Sequence, residues 1–574
     1  MSMFKLFRRY LGQYKVQVIL VFAFVITQAI CQLFLPKLMS NIVDKGVTTG
    51  NTQYILTQGL LMLGVSIISL ITVAGSANFS ALVTAKFSSF VRRDMFSKTL
   101  KFSQGDFEKF GVATLLNRSN YDAVQMQTVV INSLRALILV PITGVGALVF
   151  AFVINIQLTL VVLAAFSLTL FFMARAIKNS QPLYQKVQVF TDKINMLINE
   201  KLKGMRSIRA FNRQDYEQDK FAKANAQQTD QFVRANLSIN YLAPAIQIVL
   251  GLTTVIILWI GTNQIAAQQI MIGNLMQFIQ YISLFMMTIT SVMILFSALP
   301  RVEVSASRVL ELLDAEVTMH SIKNPSSLED EKAKITFDDV SFGYPGAQKS
   351  VLKNISFCAE QGKTTAIVGA TGSGKSTLLS LILRMNDCSS GSIKFGEVSV
   401  ANCALKELRS AISFVPQKSA LFAESIRDNM KIANKNATDE EILNAIEIAG
   451  AKEFVDKKGL DEVLAQEGKS LSGGQKQRLC IARALLKKAS IYMFDDCFSA
   501  LDYKTDFEVR TAINQNFEGS TRIIVAQRIS TIKSADHIIV LDEGEIAGQG
   551  THDQLLKSCQ IYKDIIRSQT GGDA

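Results

Sequence analysis

Charge is scarce in this chain: only 19% of its 574 residues are Asp, Glu, Lys or Arg, while 49% are hydrophobic. A mean hydropathy of +0.25 lies above that of an ordinary soluble domain, so long apolar segments dilute a more usual globular part. Paired cysteines are missing too. Seven are present, with neither disulfide-like nor metal-ligand spacing, and six of them (Cys358, Cys388, Cys403, Cys480, Cys497 and Cys559) fall in the C-terminal half. That pattern excludes a disulfide scaffold and fits reduced cytosolic thiols. What charge there is sums to +12, a balance that suggests nucleic acid in a soluble protein. Here the basic residues cluster beside apolar runs, where membrane topology is the simpler cause, and nucleic acid is not an expected partner.

A helix needs about 20 mostly apolar residues to cross a bilayer, because lipid offers its backbone no hydrogen-bond partner. Six segments qualify: 16–39, 55–78, 129–154, 158–177, 242–261 and 275–299. The basic leader MSMFKLFRRYLGQYK precedes a run too long for a signal peptide and without a small-residue cleavage site, which reads as a retained anchor. Two gaps are long and basic, one holding Lys86, Arg92, Arg93, Lys98 and Arg118, the other Lys186, Lys201, Arg206, Arg213 and Arg234. The other three are short and carry almost no Lys or Arg beyond Lys45. The bias puts the N-terminus, both long loops and everything after residue 299 in the cytosol of a multi-pass cell-membrane protein surrounded by lipid. Both loops read as helical at each end, so the spans are expected to continue into the cytosol as rods joined by short turns. The sixth span carries Met276, Met286, Met287, Met293, Phe278, Phe285 and Phe296, a set suited to an adaptable apolar cavity or to plain packing. Gln28, Gln247, Gln277 and Gln280 suit helix–helix hydrogen bonds.

Composition turns polar after residue 315. The stretch 316–333 has the Pro, Ser and charge content of a linker, which divides the chain into 1–315, the linker and 334–574. The last part alternates strand-like runs (KITFDDVSF, TTAIVG, AISFV, SIYMF, RIIVA, HIIVL) with helical ones, the pattern of an α/β fold with a mostly parallel sheet.

Within it, AIVG leads into GATGSGKST, matching G-x-x-x-x-G-K-[ST] with a strand before and a helix after. Gly369, Thr371, Gly372, Ser373, Gly374 and Thr377 line the phosphate-wrapping turn, Lys375 neutralises the β and γ phosphates, and the Ser376 hydroxyl serves Mg²⁺. The run IYMFDDCFSALD then ends a buried strand in two acids. Asp495 reaches the Mg²⁺ sphere through water, and Asp496 stands where a general base orients an attacking water. In LSGGQKQRLCIARAL, Ser472 and Gln475 have capping-box spacing, while Ser472, Gly473, Gly474 and Gln475 together make a helix-start anion site.

These residues, with Tyr344 in FGYPG, Gln417 in FVPQ and Ser499, Ala500, Leu501 and Asp502 in SALD, resemble the nucleotide-binding domain of an ABC transporter. Six spans ahead of it resemble a bacterial ABC exporter half-transporter, over essentially the whole chain. The implied fold is a polytopic α-helical membrane domain fused to an α/β P-loop ATPase domain. The resemblance implies two such domains closing head to tail, each ATP held between one phosphate loop and the other chain's LSGGQ. It further implies that Tyr344 stacks on adenine, Gln417 joins Ser376 and Asp495 around Mg²⁺, SALD lies at the dimer contact, and residues near 104–110 and 204–212 form coupling helices. Two positions depart from the pattern: active members have Glu where this chain has Asp496, and a switch His where VAQR gives Gln527. Both weaken hydrolysis and spare binding, which resembles the weak-site subunit of heterodimeric multidrug exporters, although a homodimer is open. A small amphipathic substrate is expected; a lipid flippase, a peptide exporter or an ATP-binding regulatory subunit without transport would share the motifs.

Overall fold

The computed structural model describes residues 2–317, 325–329, 331–344, 347 and 349–570, with the side chains of 11, 13, 290, 293–301 and 570 left aside. Residues 318–324 and 330 of the expected linker, Pro345, Gly346 and the Met293 and Phe296 side chains lie outside what is described. The chain forms two compact units, Met1–Lys98 with Leu116–Ala315 and Thr99–Leu115 with Glu316–Ala574.

The first unit is helical: α1 Ser2–Tyr10, α2 Lys15–Ile42 and α3 Thr52–Thr99 precede α4 Gln104–Phe110, which belongs to the second unit. After α5 Val112–Asn117 come α6 Ala123–Ile154, α7 Ile156–Ala210, α8 Gln214–Asn240, α9 Leu242–Ala266 and α10 Ile272–Asp314. Among the described residues, six helical segments are long and apolar enough to cross a membrane. At 55 residues α7 is about 80 Å long, far more than a bilayer's ~30 Å core, so it runs on as a rod past the apolar stretch. The span residues pack through an apolar cluster and through buried polar contacts. Tyr281 on α10 donates to the Leu33 carbonyl on α2 at 2.8 Å and accepts from Gln277 at 3.2 Å. Asp44 accepts from the Gly273 backbone N–H at 2.6 Å, capping the start of α10. Phe278, Phe285 and Met286 are buried between helices, whereas Met287 is exposed, so the aromatic and Met set of α10 is divided between packing and surface.

The second unit has two sheets. β1 Ile335–Phe342, β2 Leu352–Ala359, β4 Ser390–Phe395 and β5 Val398–Ser399 form an antiparallel sheet in the order β2-β1-β4-β5. β3 Thr364–Gly369, β6 Ile412–Val415, β7 Ile491–Asp495, β8 Thr521–Val525, β9 His537–Asp542 and β10 Glu545–Gly550 form the order β10-β9-β3-β8-β7-β6, parallel except for β10. Alternate residues of these central strands enter two different cores: Ala366, Val368, Tyr492, Phe494 and Ile524 one, Ile367, Ile491, Met493, Ile523 and Val525 the other. A sheet covered on both faces explains why IYMF is an unbroken apolar run, all of it buried.

Candidate functional site: an ATP pocket at the carboxyl edge of the sheet

Four neighbouring strands deliver the site. β3 runs into the phosphate loop and α11 Lys375–Ile382, β8 into Gln527, β7 into Asp495 and Asp496, and β6 into Gln417. β8 lies between β3 and β7, with Val525 level with both Ile367 and Asp495. Residues far apart in sequence thus meet at one edge, the usual ligand position in an open α/β sheet. A cavity of about 320 Å³ there is lined by Val351, Thr371, Gly372, Gly374–Thr377, Gln417, Asp495, Asp496, Val525 and Gln527.

Two glycines of the loop are dictated by geometry. A Cβ on Gly369 would stand 2.1 Å from the Leu541 carbonyl oxygen, and Gly374 has φ +100° with Leu352 where its Cβ would go. Lys375 Nζ donates to the carbonyls of Gly369 and Ala370 at 2.8 and 2.7 Å. Burial pushes its pKa down, and Asp496 and Asp495 hold it up. Ser373 Oγ is buried with no partner among the described residues, an orphan hydroxyl in the cradle that a phosphate oxygen would satisfy. Ser376 Oγ donates to Asp495 Oδ1 at 3.0 Å. Burial raises the Asp495 pKa against the pull of Ser376, Asp496 raises it further, and Lys375 opposes. A hydroxyl, a desolvated carboxylate and a nearby amide make an oxygen donor set that fits Mg²⁺, which when bound neutralises phosphate charge.

Asp496 has left-handed backbone geometry, φ +46°. Its Oδ2 accepts two amides, Gln417 Nε2 at 3.2 Å and Gln527 Nε2 at 2.8 Å. The sequence named all three residues; that they close on one oxygen is new. Tyr344 does not line the cavity: its hydroxyl shares a hydrogen bond with Thr377 Oγ1 at 3.2 Å and its ring packs edge-on against Phe342.

The LSGGQ segment is elsewhere. Ser472 caps the helix Gly473–Leu485 in a full capping box with Gln475, and none of Ser472–Gln475 lines the phosphate cavity. Ser472 and Gly473 are exposed. SALD leads into the helix Tyr503–Asn516, capped by Asp502, while Ser499, Ala500 and Asp502 are exposed and Leu501 is buried. Of the two expected coupling segments, Gln104–Phe110 is a helix, capped by Ser103 and Asp106. It borders a groove of about 430 Å³ with Phe102 and Phe107 on one side and Arg409, Phe414 and Arg483 on the other. The other needs correction: 204–212 forms no helix of its own, because α7 continues to Ala210 before turning at left-handed Asn212. Val351 and Arg528 had no sequence signal.

A phosphate loop, a strand-end acid pair and an exposed LSGGQ helix start, in a chain with six membrane-length helices, define an ATPase built into a polytopic membrane protein. The family follows directly: residues 18–289 match the family described as ABC transporter transmembrane region and 352–499 the family described as ABC transporter. With a relative 35% identical over 569 residues as well, this chain belongs to the ABC transporters. That relative, an uncharacterised ABC transporter ATP-binding protein of Mycobacterium tuberculosis, is matched over 98% of both chains. An ATP-dependent lipid A-core flippase of Vibrio vulnificus is 28% identical over 95% of this chain and 94% of its own. A bacterial Atm1-family ABC exporter solved with ATP bound has the same fold, with TM-score 0.80 and 22% identity over 99% of each chain. The chain is therefore an ABC-type ATPase and multi-pass membrane protein of exporter fold, a half-transporter of a kind that works in pairs, with its ATPase domain cytosolic.

Proposed function

We propose that this chain is one half of an asymmetric exporter for amphipathic or hydrophobic compounds. Its own phosphate loop holds ATP with slow turnover, and its LSGGQ completes a competent site on a different chain. The observation that carries the reading is Asp496. It is one methylene short of Glu, and one of its two carboxylate oxygens, Oδ2, is already engaged by the amides of Gln417 and Gln527. A base must reach the proton it removes, and a displacement of about 1 Å at a catalytic group costs on the order of 100-fold in rate. Gln527 donates a hydrogen bond but carries no proton as an imidazole does. Lys375, the loop glycines and Asp495 are intact, so ATP and Mg²⁺ binding are spared, with Tyr344 as the adenine contact.

The test is ATP hydrolysis by this chain alone and mixed with a second half-transporter carrying Glu and His at the two positions. The lone chain is expected to bind ATP yet turn it over at least about tenfold more slowly than the mixture. Asp496→Glu with Gln527→His should narrow that gap. Brisk hydrolysis by the lone chain overturns the reading. Similarity to a lipid A-core flippase favours a second substrate class, a lipid amphiphile. Vesicles containing both chains separate the two: ATP-driven dye accumulation supports drug-like export, and translocation of a labelled lipid alone supports flipping.

A further inference from the structure

We propose that Gln569 is a positioning residue of the ATP site, acting through the loop that carries Gln527; this rests on the reading of Gln527 as the residue in the switch-histidine place of that site. Residues 526–528 join β8 to the short helix Ile529–Ile532, whose first N–H groups need acceptors. Arg528, at the cap position, supplies no side-chain cap. Gln569 does so from 40 residues downstream: its Oε1 accepts from the Ile529 N–H at 2.9 Å, and its Nε2 donates to the Gln527 carbonyl at 2.6 Å. One planar amide thereby holds a donor and an acceptor on either side of Arg528.

The amide is itself well held. Gln569 belongs to the helix Gln560–Thr570, where Tyr562, Ile566 and Gln569 recur at i, i+4 and i+7 and so share a face. Tyr562 and Ile566 are buried in the same core as Ile529 and Ile532. The core fixes the helix, the helix fixes the amide, and the amide fixes the loop. From that loop two side chains reach functional groups. Gln527 Nε2 donates to Asp496 Oδ2 at 2.8 Å, and Arg528 donates to the carbonyls of Ser499 and Leu501 at 3.2 and 3.3 Å. A Gln side chain has three soft torsions, so its amide is kept on Asp496 reproducibly only while the backbone that carries it is itself held. Gln569 therefore sets the reach of Gln527 without touching nucleotide.

The experiment is a double-mutant cycle on the full-length chain in lipid nanodiscs, read as single-turnover hydrolysis of radiolabelled ATP with protein in excess. Gln569→Leu keeps the bulk of an exposed side chain and removes both hydrogen bonds. It is expected to slow hydrolysis on the order of tenfold while the ATP dissociation constant stays within about twofold. In a Gln527→Ala background the same change should alter the rate by less than about twofold. Gln569→Glu retains the acceptor for Ile529 but turns a carboxylate oxygen onto the Gln527 carbonyl, an acceptor facing an acceptor, so its rate should fall at least as far as that of Gln569→Leu. An unchanged rate in Gln569→Leu, or an equal drop in both backgrounds, overturns the proposal. Rapid turnover by the unmutated chain would count against the weak-site reading alone, since the coupling is then measured on a faster reaction.

Discussion

Asp495 is the residue at which folding and function oppose one another. Buried and beside Asp496, its carboxyl has a pKa raised above the ordinary 3.8. In that case the folded state holds the proton more tightly than the unfolded chain, so stability declines as pH rises from the unfolded value through the folded one. Near neutrality the nucleotide-free protein carries the full cost of a desolvated charge. Asp495→Asn should therefore raise the unfolding temperature of the nucleotide-free protein at pH 7, the gain shrinking as pH is lowered toward the ordinary carboxylate range. It should also abolish most of the stabilisation given by MgATP, which depends on differential binding to the folded state. Thermal unfolding with and without MgATP checks both; a variant less stable than the parent without nucleotide would show that the charge is compensated. The chemistry of this residue was legible from a hydrophobic run ending in acid beside a phosphate loop. Its pairing with Ser376, and the closure of Gln417 and Gln527 on Asp496, were not. They depend on strand order, and β8 standing between β3 and β7 is a tertiary fact that no local pattern carries.

At the level of elements, long apolar runs marked the six membrane-length segments, and charge asymmetry set the expectation of which loops face the cytosol. Helix ends were harder to read. The segment 204–212 was expected as a separate coupling helix, but a single Gly inside a 55-residue helix costs only ~1 kcal/mol against Ala, so Gly204 does not end α7, whose hydrogen bonds continue to Ala210. Gln569 was invisible for another reason: its partners lie about 40 positions away, and nothing in its local pattern names what an exposed Gln on that helix meets. Short helices depend most on their ends. In α4, seven residues long, Ser103 Oγ accepts from the Asp106 N–H at 3.1 Å and Asp106 returns the bond to the Ser103 N–H at 3.0 Å. Phe102 stacks on Phe110 with centroids 5.4 Å apart. Ser103→Ala should weaken this helix by about 1 kcal/mol. Hydrogen exchange of the amides of 104–110 is then expected to speed up roughly fivefold or more, with the exchange of β7 and β8 unchanged. Unaltered exchange across α4 would mean that the phenylalanines alone hold it.

For the whole molecule the decisive question is which ATP each motif of this chain serves. Lys375 lines the chain's own cavity, while Ser472 and Gly473 stand exposed outside it at the start of a 13-residue helix. If that helix start binds the γ phosphate of a nucleotide held by another chain, equal injuries to the two motifs must have unequal effects in a mixed pair. Lys375→Ala removes ATP from the weak site and should leave at least about half of the pair's hydrolysis, because that site contributes little turnover. Gly473→Asp should remove it on the order of 100-fold, the scale of losing a donor to developing phosphate charge. The second substitution is also structurally mild. Nothing lies within 4 Å of a Cβ at Gly473, its backbone is not left-handed, and an acid in the first turn suits the helix dipole. Its harm is then confined to repelling an anion. Steady-state ATPase of the mixed pair, with each substitution placed in this chain only, reads the difference. Equal losses from the two variants would mean that both sites turn over alike, and the asymmetric assignment would fall with the chain's two departures, Asp496 and Gln527, demoted to tolerated variation.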